Sequence, residues 1–405
     1  MEDIMPATRS APDPVEPEAS RQYASLAHAH FEAIPLHGLA RLAGMRLAET
    51  PIPIEDVNGE PLFHDYPLME GTTVVGTIRC AASRRLGTPV VSIGHGTPGW
   101  GAAAALRLAR EALQQRHPDA EIVSLRLVCY AYPKIGVRVS FKRRGSASES
   151  EAIFDASSGG MVGTSDEAAH QFTRYSLLAR LSAAETRRRI AQFRDSEQQI
   201  AAHLASGKPL IVGPVQTGPL TVPSIFPFVL QGMVQLSPWC PNSPPGNSHY
   251  AQITDYFCVD ASSQMLLEHY GWNYTQNQIA AAMGTTAAQG GTTQAGLTSG
   301  FTSLTDNTLL LTFDEGATRA QQFQDAMAEI NANRPLFTQV PHHYRVCMGY
   351  QEILLLPLWI ALGLGQALYI YDPWPWNPDL CQPGAAYWES WAMSPVMWFG
   401  IVHHA

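Results

Sequence analysis

The sequence predicts an α+β protein built in two units, and three observations carry that prediction. Residues 67–155 alternate apolar and polar positions in short runs around one Ala/Leu-rich helical stretch, the pattern of a mostly antiparallel sheet carrying a helix. Residues 255–331 read as capped amphipathic helices, and residues 336–371 as strands. At 405 residues, with 45% hydrophobic side chains, the chain has the length of two ordinary domains and enough apolar mass to bury their cores.

Residues 1–20 are polar, carry Pro6, Pro12, Pro14 and Pro17, and hold no apolar signal core; they read as a disordered leader. Residues 21–165 form the first unit. Tyr23 to Met45 is loosely helical, Thr72–Ile78 and Pro89–Ile93 are strand-like, and Gly101–Gln115 is a helix. Ile122–Tyr132, Ile135–Phe141 and Glu151–Asp155 follow as strands with short turns. Residues 166–207 are a helical bridge in which Ser182 and Glu185 have capping-box spacing. The three arginines Arg187, Arg188 and Arg189 there read as a solvated helix face.

Residues 208–405 form the second unit. Pro209–Asn247 is proline-rich and uncharged, an extended segment packed on a core surface. A helix opens near Asp255, its expected N-cap, and stops at Gly271. Thr275 and Gln278 cap a second, Gln289–Thr293 is a connector, and Thr318–Asn331 is amphipathic. Leu336–Val340, His343–Tyr350, Glu352–Trp359 and Ala367–Tyr371 are strand candidates. Ile353–Gly365 is the most apolar run. It is shorter than the roughly 20 residues of a membrane-spanning helix and contains Pro357, so it reads as a buried hairpin.

Charge is uneven. Residues 206–405 hold four Lys/Arg against twelve Asp/Glu, while the remaining 22 basic groups lie in the first half. The second unit has no basic stripe, which argues against nucleic acid as a partner. Opposite local charge favours docking of the N-terminal unit, with its arginine-bearing bridge, on the C-terminal one. The six cysteines lack C-x-x-C spacing, so neither a zinc site nor a redox pair is expected, and free thiols are. Without a signal segment the expected compartment is the cytoplasm.

Cys258 carries the chemistry. It sits in the first turn of its helix, where the helix dipole and free N–H groups favour a thiolate. Gln252, six residues upstream, could direct a neutral side-chain N–H to the same point and, with the Cys258 N–H, stabilise an oxyanion. Asp260 would oppose the thiolate unless it points away around the helix. His342 and His343 are adjacent on a strand and face opposite sides. The tryptophans Trp374, Trp376, Trp388, Trp391 and Trp398 read as aromatic packing or as a wall of a substrate cleft.

Four pieces in order give a resemblance: Gln252-x5-Cys258 with its helix; Tyr270-Gly271-Trp272 followed by Thr275-Gln276-Asn277-Gln278-Ile279; the strand from His343 to Tyr350; and Tyr371-Asp372-Pro373-Trp374. Together they resemble bacterial papain-like cysteine peptidases, in particular the double-glycine leader peptidases and related plant-pathogen effector proteases. The first unit faintly resembles the cystatin-like pro-domains that precede some secreted bacterial peptidases. The resemblance implies a two-lobed papain-like domain behind a smaller accessory or pro-domain. It implies Cys258 as nucleophile, His343 as base, Asp372 as the carboxylate that orients it and Gln252 as oxyanion donor, with no cofactor and a peptide or protein as substrate. Two other functions share these residues: another Cys-His-Asp acyl-transfer enzyme (transglutaminase, deamidase or acyltransferase), and a catalytically inactive peptide-binding protein.

Overall fold

Gly71, at φ +61, turns the chain between two long strands, and similar short links make most sequential strands here antiparallel neighbours. The computed structural model describes residues 13–31, 37–96, 99–145, 148–163, 174–207, 216–217, 228–234, 249–354, 356–378 and 383–405. The first unit runs α1 (Pro17–His28), β1 (Arg46–Leu47), β2 (Ile52–Asp56), β3 (Pro61–Glu70), β4 (Thr73–Ala81), β5 (Val90–His95), α2 (Ala102–Arg116), β6 (Ala120–Ala131), β7 (Lys134–Arg143), β8 (Glu149–Asp155) and β9 (Met161–Val162). Helix α3 (Ala183–Ala205) leads into the residues expected to form the second unit. That unit runs β10 (Gln216–Thr217), β11 (Phe228–Met233), α4 (Cys258–His269), α5 (Gln276–Met283), α6 (Gln294–Leu304), β12 (Leu309–Phe313), α7 (Arg319–Asn331), β13 (Leu336–Val340), β14 (His343–Leu354), α8 (Pro357–Ala361), β15 (Gln366–Asp372), β16 (Ala385–Ser390) and β17 (Trp398–His404).

The architecture is mixed α+β. In the first unit β7 lies between β6 and β8, and β2 joins β6 in parallel, leading through β3 and β4 to β5. In the second, β14 is the spine. One side pairs with β15 along most of its length, the other with β13 and then β11. The two units share one sheet, because β5 pairs antiparallel with β16 from His95↔Ala386 to Ser92↔Glu389. Without β5, strand β16 would be an edge with unpaired backbone groups, which is costly for a strand this buried. One continuous hydrophobic core extends across both units, from Val15 and Phe63 to Trp359 and Phe399.

Several elements differ from the sequence reading. Helix α1 begins at Pro17, inside the expected leader, and Val15 N–H already bonds the Ala82 carbonyl. Helix α4 starts at Cys258 with Phe257, not Asp255, at the cap, and no side chain caps it. The Glu352–Trp359 strand stops at Leu354, and Pro357 then opens helix α8 at a position where its missing N–H costs nothing. Residues 289–293 are not a loose connector. Gly291 bridges back to Thr286, and Thr293 Oγ1 accepts the Gly296 N–H to cap α6. Most of Pro209–Asn247, with Cys240, lies outside the described residues, as does Cys381. Among the described residues, no helix is long and apolar enough to cross a membrane.

Candidate active site

Strand periodicity builds the sheet side of the site. His343 and Arg345 are two apart on β14, and Tyr387 and Glu389 two apart on β16, so each pair shares a face. The register of β14, β15 and β16 sets Cys347, Ile370 and Tyr387 in one row, with Asp372 two residues beyond Ile370. His343, Arg345, Asp372, Tyr387 and Glu389 therefore all project from the same face.

His343 is buried, and its Nε2 donates to Asp372 Oδ1 at 2.7 Å. The same Oδ1 accepts the Trp374 backbone N–H at 2.9 Å, and Oδ2 accepts the Tyr387 hydroxyl at 2.8 Å. His249 stacks on Tyr371 at 4.3 Å, and its Nε2 donates to the Asp372 carbonyl at 3.1 Å. Burial pulls His249 down to about 4, so it is a neutral strut at neutral pH. Gly384 closes the same corner: a Cβ there would stand 2.0 Å from the Asp372 carbonyl oxygen. Behind the carboxylate, Arg345 Nη1 donates to the Tyr387 hydroxyl at 2.9 Å and to Glu389 Oε2 at 2.7 Å, and Nη2 donates to Oε1 at 3.2 Å. Both partners of that ion pair are fully buried. Glu389 also accepts from Ser394 and, at 2.6 Å, from Tyr132 of the first unit.

The helix side carries the thiol. Cys258 is the first residue of α4 and is partly exposed, whereas Cys80, Cys129 and Cys347 are buried. Burial raises the thiol, but the hydrogen bond and charge of His343, with help from Lys134, outweigh it and leave Cys258 below its ordinary value. Burial lowers His343, and Asp372 and Cys258 outweigh that in turn, so the imidazole sits above its ordinary value. Burial likewise raises Asp372, and the charge and hydrogen bond of His343 bring it below the usual carboxylate range. An ionised carboxylate only accepts, which puts the ring proton on Nε2. Nδ1 is buried with no hydrogen-bond partner other than the Cys258 thiol.

Asp260 is buried on the far side of the helix, where Thr285 Oγ1 donates to its Oδ1 at 2.8 Å, and burial pushes it up to about 7. Gln252 is fully buried between Pro373, whose carbonyl takes its backbone N–H, and Asn377, which donates to its carbonyl. Its Nε2 donates one N–H to the Thr254 carbonyl at 2.7 Å, and its Oε1 is buried without a partner. His342 is not a strand neighbour of His343. It occupies a tight turn at φ +57 between β13 and β14, is exposed, and lies 5.9 Å from the Tyr175 ring. Of the tryptophans, Trp374 adjoins the site, Trp388 packs on Tyr369, Trp391 on Phe323 and Trp398 on Phe313.

Sequence reasoning missed Tyr387, Arg345, Glu389, His249 and Tyr132. The usable signal was slight: Arg345 is one of four Lys/Arg in residues 206–405 and lies two residues from His343, on the same strand face. Among the described residues no group of three or more His, Cys, Asp or Glu is placed to hold a metal ion. Residues 246–393, which contain all of Cys258, His343 and Asp372, match the family model described as Peptidase_C39 like family. No curated protein matches the chain. The family match supports cysteine peptidase activity, a hydrolase function, for the C-terminal unit.

Proposed function

We propose that the chain is a papain-like cysteine peptidase that hydrolyses peptide bonds of a peptide or protein substrate through Cys258, His343, Asp372 and Gln252. One observation carries the reading: a buried His343–Asp372 pair at 2.7 Å whose remaining ring nitrogen has no partner but the thiol at the start of α4. Cys258 gives its proton to His343 Nδ1, and the thiolate attacks the scissile carbonyl carbon. The Cys258 N–H and the second N–H of Gln252 receive the oxyanion. The imidazolium protonates the leaving amine as the C–N bond breaks. Neutral His343 then takes a proton from water, whose attack releases the acid and restores the thiol. Asp372 keeps the imidazole oriented and favours its charged form throughout.

The lowered thiol pKa and the raised imidazole pKa both favour the thiolate–imidazolium pair. Activity is therefore lost at low pH, where the thiol keeps its proton, and at high pH, where the imidazolium gives its proton up. The deciding experiment incubates the full chain with a diverse peptide mixture and reads products by mass spectrometry, with Cys258→Ala as control. New peptide N-termini that vanish in Cys258→Ala support hydrolysis. Release of ammonia without a new terminus assigns the same residues to deamidation or transamidation instead. No Cys258-dependent product contradicts catalysis.

A further inference from the structure

The hairpin between β6 and β7 turns through Tyr132 and Pro133, with Ala131 paired to Lys134. A hairpin tip is ordinarily solvated, yet Tyr132 and Lys134 are 1% and 7% exposed. The tip is pushed into the C-terminal unit. Tyr132 reaches the Arg345–Glu389 pair, and the Lys134 ammonium lies 4.6 Å from the centre of the Trp374 ring. Trp374 is the residue whose backbone N–H holds Asp372. Among the described residues, Lys134 has no carboxylate within ion-pair distance. A cation buried this far without a counter-ion costs free energy unless it faces a site where negative charge resides or develops.

Resting on the peptidase reading, we infer that Lys134 is a positioning residue of the thiol site, so that the catalytic centre is composite and the N-terminal unit supplies part of its electrostatics. Among the described residues, His343 and the Tyr344 backbone from β14 and Lys134 from β7 act electrostatically to lower the thiol. Asp260, on the thiol's own helix, is turned away to Thr285. Asp255 is raised by burial, with the ammonium pulling it back toward the anion and Asp155 of β8 opposing, and His342 is lowered by burial, by Arg180 and by the ammonium. The ammonium therefore adds a fixed positive field to the one His343 supplies. It acts on Cys258 through space, without accepting or donating the transferred proton.

The test measures the rate of Cys258 alkylation by iodoacetamide across pH, by mass spectrometry of the full-length protein, for wild type, Lys134→Arg, Lys134→Met and Lys134→Gln. Folding of each is checked by circular dichroism. Loss of the positive charge moves the midpoint of the rate profile up by about half to one pH unit, with the alkaline plateau unchanged, and Lys134→Arg restores the wild-type midpoint. A structural role alone would change the melting temperature and leave the midpoint in place. Lys134→Gln gives the same reading if Lys134→Met does not fold, because it keeps a polar tip while removing the charge. An unmoved midpoint in either folded neutral variant overturns the inference. A wild-type Cys258 no more reactive than Cys80, Cys129 and Cys347 fails the peptidase reading instead, so the two failures are distinguishable.

Discussion

The sheet side and the helix side of the site are finished to different degrees. On the sheet side both oxygens of Asp372 and both of Glu389 hold hydrogen bonds, and the Tyr387 hydroxyl links the two carboxylates through Arg345. On the helix side, His343 Nδ1 is buried with only the Cys258 thiol as partner, Gln252 Oε1 is buried and unpartnered, and Cys258 is the one described cysteine that is not buried. A closed network fixes geometry before substrate arrives, whereas open valences hold capacity for the reacting groups. On the proposed reading, the difference puts the rigid half of the site on β14–β16 and the reacting half at the start of α4.

Substitutions sharpen or break this contrast. His343→Ala, which joins the two sides, removes the base and its charge together; turnover by full-length protein falls by about a thousandfold or more in a peptide-cleavage assay, while the melting temperature changes far less. Arg345→Met is expected to do the reverse in emphasis. It strands Glu389 as an unpaired buried carboxylate, and chemical denaturation should show a loss of roughly 3–5 kcal/mol. Replacing Glu389 by Met as well recovers part of that loss; a double variant no more stable than the single one would count against the pair as the cause. Tyr387→Phe removes one hydrogen bond to Asp372 and one from Arg345. Activity should fall by about tenfold, with the alkaline limb of the pH profile moved, because Asp372 then holds the imidazolium less firmly. His342→Ala, at an exposed turn, should leave turnover within about twofold. A larger effect would transfer the base to His342 and dissolve the contrast altogether.

Much of the site's first layer was legible because it is local or periodic. Cys258 at a helix start, the Thr275–Gln278 capping box and the β13 and β14 strands all follow from spacing and propensity. What escaped is long-range. Tyr387 meets Arg345 across 42 residues and Tyr132 meets Glu389 across 257, distances at which periodicity carries no information. Strands β2 and β3 were missed because Pro53, Glu55, Pro61 and Asp65 depress β propensity, and neighbouring strands recruit them regardless. Helix α6 received no sequence assignment, and its Gly296 and Gly300 carry low helix propensity. Their bareness is what packs α6 on α5: a Cβ on Gly300 would lie 2.4 Å from Met283 Cγ, and one on Gly296 2.3 Å from the Met283 carbonyl. The Asp255 cap failed because helix α4 begins three residues later, behind a turn whose Phe257 is buried in place of a polar cap.

On the proposed reading, His343 makes Cys258 a nucleophile. Timed iodoacetamide labelling of the native full-length protein at neutral pH, resolved by peptide mass spectrometry in wild type and in His343→Ala, tests it most directly. Cys258 is expected to be labelled well ahead of the other five cysteines in wild type and to lose most of that lead in His343→Ala. Uniform labelling, a preference for Cys240 or Cys381, or a Cys258 rate indifferent to His343 would contradict it.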